Sequence, residues 1–133
     1  MADRVTLAAS ERALVAMLAA ALDPVPVYWG WAPFETANAP ASLPLVVVQR
    51  LSYTTVDYED MCAGPYRGDM IVAINAWALG YEAARALAAD ARDAMGAGAG
   101  DWRLHQEVDT FEPTFHAWCV GGQWLVAGVV PDA

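Results

Sequence analysis

Lysine is absent from this sequence: all seven positive charges are arginine, set against sixteen acids for a net charge of −9. That balance excludes a nucleic-acid-binding surface, whose affinity comes from clustered Lys and Arg neutralising phosphates. It leaves open a protein that DNA merely passes. Uninterrupted apolar runs of about 18 residues, the length a membrane-spanning helix needs, are also missing. The first residues, Met1-Ala2-Asp3-Arg4, lead into an amphipathic segment carrying Glu11 and Arg12. A secretory leader needs an unbroken apolar region and a small-residue cleavage site, so synthesis in the cytosol is expected. Only two cysteines occur, Cys62 and Cys119, with neither CxxC nor metal-ligand spacing. In a cytosolic chain they read as reduced thiols. No GxSxG, Walker loop or GxGxxG is present, and no internal repeat.

What the sequence does have is apolar mass. Its 133 residues suit one domain spanning 1–133, and 57% of them are hydrophobic. A chain of this length buries roughly two thirds of its unfolded surface, enough for a core without disulfide or metal staples. The surplus of apolar over charged residues suggests that partners cover some of the surface.

Apolar periodicity predicts a helix over Leu7 to Leu22, with Leu14, Met17, Leu18, Ala21 and Leu22 on one face and Asp23-Pro24 as its stop. A short extended piece, Val25 to Trp31, follows, and the proline-rich stretch Ala32 to Pro44 reads as an irregular loop. Leu45 to Ser52 and Asp69 to Ala78 are strand signals. The second is apolar on both faces, which predicts a central strand covered by helices on one side, with a neighbouring subunit open as the other cover. Tyr53 to Gly68 is long for a hairpin connection, so it reads as a projecting hairpin or a functional loop. Tyr81 to Met95 predicts a second helix, with Ala84, Leu87, Ala88, Ala91 and Met95 inward and Arg85, Arg92 and Asp93 mostly away. The glycines from Gly96 to Gly100 end it. Trp102 to Val130 reads as strands, with Gly121-Gly122 expected to form a tight hairpin. The fold class is therefore α+β, a mainly antiparallel sheet with two helices packed on one face.

The order and spacing of these pieces resemble a known family. An alanine-rich leading helix is followed by Val27-Tyr28 and Ala32-Pro33, then LPLVVVQRLS (Leu43 to Ser52), DMIVAINAWA (Asp69 to Ala78) and YEAARALAADARDAM (Tyr81 to Met95). From Glu11 to Met95 this is similar to the tail-completion, or tail-terminator, proteins of long-tailed bacteriophages and related gene-transfer particles. The resemblance implies a virion protein, made in the host bacterial cytoplasm, that forms a homo-oligomeric ring, usually a hexamer. Its implied partners are the tail tube protein and a head–tail connector or stopper. DNA would pass through the lumen without sequence-specific binding, and no membrane or cofactor is involved. The loop Tyr53 to Gly68 and the tryptophans Trp102, Trp118 and Trp124 map onto no motif of that family. The residues singled out for subunit contact are Tyr58, Glu59, Asp60, Met61, Tyr66 and Arg67, the arginine as a partner for an acid on the next subunit.

Candidate chemistry is thin by comparison. His105, Glu107 and Asp109 alternate along a strand and share a face, a donor set suited to zinc. Successive ligands spaced about 7 Å apart grip one ion poorly, however, and the wet face of a strand is the preferred reading. Asp57, Glu59 and Asp60 form the densest acidic cluster without calcium-loop spacing, and they read as a solvated or subunit-contacting loop. His116 and Cys119 fall on opposite strand faces. The six tryptophans, with no basic residues interleaved, suit cores and interfaces better than base stacking. No catalytic, cofactor-binding or metal residue is assigned, and the chain is expected not to be an enzyme. The alternatives are another neck component, a small metal-dependent enzyme using His105, Glu107 or the Asp57 to Asp60 loop, and a ligand-binding domain with a tryptophan-lined pocket.

Overall fold

The computed structural model describes residues 7–30, 43–55, 68–98, 102–113 and 116–129. Helix α1 (Leu7–Leu22) leads to strand β1 (Val27–Trp29), then β2 (Leu45–Thr55) and β3 (Gly68–Ala78). Helix α2 (Tyr81–Gly98), β4 (Arg103–Glu112) and β5 (Ala117–Val129) complete the order. The five strands form one sheet in the order β1-β2-β3-β5-β4. Every pairing is antiparallel except β1 with β2, which is parallel.

Both helices lie on one face and share one core with it. Leu14, Leu18 and Leu22 come round at successive turns of α1 and are buried, while Met17 is partly buried and Ala21 is exposed. Leu87, Ala91 and Met95 do the same on α2. They close on Val46 and Val48 of β2, Met70, Val72, Ile74 and Ala76 of β3, and Trp124 of β5. The alternation of β3 puts Ile71, Ala73, Asn75 and Trp77 on the other face. There Leu45 and Val47 make a second small cluster with Tyr28, Leu43 and Trp77. The expected central, doubly apolar strand is β3.

One expectation fails. Gly121 and Gly122 form no hairpin: both lie inside β5, paired with Asn75 and Ile74 on one side and with Val108 and Glu107 on the other. The glycines are there because side chains cross them. A Cβ on Gly121 would run into Asn75 Oδ1, and one on Gly122 would stand 2.9 Å from the Trp124 indole nitrogen. Glycine in mid-strand marks such close approaches as readily as it marks turns. The chain instead reverses between β4 and β5 near His116, a residue with φ of 49°.

Candidate functional surface

The six residues singled out for contacts, Tyr58, Glu59, Asp60, Met61, Tyr66 and Arg67, lie outside the described residues, as do Asp57 and Cys62. The ladder that carries them is described. It runs three residues past Ser52, to Thr55 paired with Gly68. The proline-rich stretch 31–42 is likewise outside the described residues.

Strand β4 forms one edge of the sheet and is exposed along almost its whole length. Its register slips between Leu104 and Gln106. This bulge takes His105 out of the simple alternation with Glu107 and Asp109 and turns Leu104 toward the helix side, where it lies near Gly122 and Trp124. The two carboxylates do share a face, but both are engaged by α2. Arg92 Nη1 donates to Glu107 Oε1 at 3.0 Å and Oε2 at 3.1 Å, and Tyr81 Oη donates to Asp109 Oδ2 at 2.7 Å. The Asp109 bond holds the Tyr81 hydroxyl above its usual pKa, because ionisation would set two anions together. Among the described residues no group of three His, Cys, Asp or Glu side chains could hold a metal ion.

Sequence reading placed Arg92 away from the core, which is correct, and missed that it reaches across to β4. The signal was available: Tyr81, Arg85 and Arg92 are spaced by four and seven, one side of a helix, and the two acids are spaced by two on a strand. Between α2 and β4 these residues line an open groove of about 570 Å³. Arg85 stands over the Tyr81 ring at 5.6 Å, and Tyr81, Trp118 and Phe111 form an aromatic row with centroid spacings of 4.8 and 5.1 Å. Tyr81 with Asp109 and Arg92 with Glu107 tie the two walls of the groove together, so it reads as a brace that fixes β4 to α2. Cys119 is buried, and that burial pushes its thiol up to about 12, far from a nucleophile's range.

At the opposite edge β1 covers only Val46 to Val48, so β2 from Gln49 to Thr55 has no strand partner on that side among the described residues. Arg12, Val15, Ala16 and Trp29 line a hollow of about 430 Å³ beside it, with Glu11. Glu11 lies 3.8 Å from Arg50 of β2. No described helix is long and apolar enough to cross a membrane.

No family profile matches the sequence, and comparison with curated proteins gives no match either. Among solved structures, the fold is similar to that of a chain in "Virion of native gene transfer agent (GTA) particle". The superposition has a TM-score of 0.59 at 15% identity and covers 89% of this chain and 92% of that one. The likeness is one of fold, and it extends over nearly the whole of both chains.

Proposed function

We propose that this chain is a structural subunit of a phage-like particle, acting as a single domain and by contact alone. The observation that carries the reading is the near end-to-end fold match to a chain of a gene transfer agent virion. Both partners are covered almost completely, so the likeness is not a shared fragment embedded in a larger unrelated protein. The finer reading is a tail terminator: a hexameric ring at the head-proximal end of the tail tube, ending tube growth and joining tail to head. The ordered resemblance from Glu11 to Met95 supports it. The acids Glu107 and Asp109, which a metal-enzyme reading would use, are instead bonded to Arg92 and Tyr81.

Charge fits the role. Six copies of a −9 chain carry −54. An acidic lumen repels phosphates and lets duplex leave without sticking. Deleting the gene is the decisive experiment. Loss of a terminator gives overlong or irregular tails beside intact, filled heads. Leaking heads beside normal tails would instead identify a stopper, and normal particles would overturn both readings.

A further inference from the structure

None of the ten residues of β4 is buried: nine are exposed and Glu112 is half-buried. Its neighbour β5 sends Ala117, Cys119, Val120 and Trp124 into the interior, and β3 is buried along most of its length. The helices close their core on β2, β3 and β5, with Leu18 and Met95 meeting Val46, Val72 and Trp124. Strand β4 is attached at the surface instead. Its ladder runs along β5, with the slip between Leu104 and Gln106. The Phe111 ring lies 5.1 Å from that of Trp118. Two solvent-exposed bonds then reach over to α2, from Arg92 to Glu107 and from Tyr81 to Asp109. The buried stripe of α2 fixes that helix, so these bonds tie an exposed strand to an anchored element.

We infer that β4 is a strap that opens from β5 as one unit while the helices and the other four strands stay folded, with Arg92 and Tyr81 as its clasps. Releasing β4 hands ladder groups back to water, an exchange whose net cost is small beside that of opening a core. It also returns ten residues to conformational freedom. Opening β2 or β3 would instead bare Val46, Val48, Met70 and Val72, which are fully buried. Segments with few buried apolar contacts and solvent-exposed hydrogen bonds are the ones that open sub-globally. The open state bares the outer ladder of β5 and leaves its inner ladder on β3 intact. The inference does not rest on the ring reading.

Residue-resolved amide hydrogen exchange at rising, sub-denaturing urea tests it. The protected amides of β4 are expected to share one opening and one urea slope, and to exchange about tenfold or more faster than the slowest amides of β3. Tyr81→Phe keeps the ring that packs on Trp118 and removes only the hydroxyl. Combined with Arg92→Ala, it should speed exchange in β4 by about twofold to tenfold, the range for two exposed polar contacts, and leave β3 unchanged. A β4 that exchanges only at the rate and urea slope of β3 overturns the strap. So does a β4 whose amides open one by one with no shared slope. A double variant that speeds β3 as much as β4, or speeds neither, overturns the clasps. Should the double variant fail to fold, the parent's exchange decides the strap and Arg92→Ala alone decides the clasp.

Discussion

Gly68, Gly121 and Gly122 show how much a single hydrogen in place of a methyl group matters in this sheet. A Cβ on Gly68 would strike the carbonyl oxygen of Thr54 and lie 2.9 Å from the Tyr53 ring, so backbone would have to move. Gly68→Ala is expected to destabilise by about 1–3 kcal/mol, the usual range for forced overpacking. At Gly121 the obstacle is a side chain, that of Asn75. Gly121→Ala should therefore be partly rescued by Asn75→Ala, a coupling that a double-mutant cycle in urea measures directly. Cys119 gives a prediction in pH. Its thiol is raised from 9.0 to about 12 in the folded protein, so the unfolded chain loses that proton first. Its contribution to stability is thus complete below pH 9 and is lost as pH rises from 9 to about 12. Urea midpoints across that window should fall less steeply in Cys119→Ala than in the parent. With Cys62 replaced, a thiol reagent at pH 8 should label Cys119 only on unfolding.

Among the elements, α1 and α2 are held by their apolar stripes more than by any surface bond. Leu18 is fully buried at the centre of the α1 stripe, and Leu18→Ala should cost about 2–5 kcal/mol in a denaturant titration. Arg92→Ala breaks a pair whose side chains are 46% and 34% exposed, so its cost should be about 0.2–1 kcal/mol and should shrink in high salt. This contrast also explains what was legible in the sequence. Leu14, Leu18 and Leu22 repeat with the helical period, and α1 spans the range that pattern predicts, Leu7–Leu22. The valine run at Leu45 and the doubly apolar run at Asp69 likewise announce β2 and β3. The parallel pairing of β1 was not legible, since Val27 meets Val46 only across a long intervening stretch. Nor was the place of Gly121-Gly122, because their reason lies in Asn75 and Trp124, reached through folding and through a side-chain crossing respectively. The brace between Arg92 and Glu107 was half visible: each partner's spacing could be read, but not that α2 lies beside β4.

For the whole molecule, net charge sets the general field. A chain at −9 repels its own copies, so the association proposed above requires local features that outweigh it. Added salt screens that repulsion. Self-association on the proposed reading is therefore expected to strengthen in moderate salt, which sedimentation velocity at several ionic strengths measures.

The order of strands also bears on when the sheet itself comes into being. β5 is made after β4 but lies between it and β3. While the chain is being synthesised, β4 has no described strand to pair with until residues 117–129 have emerged and slotted into the gap. The sheet is consequently closed only when β5 arrives, and a nascent chain stalled before it holds β2 with β3 and leaves β4 outside the ladder.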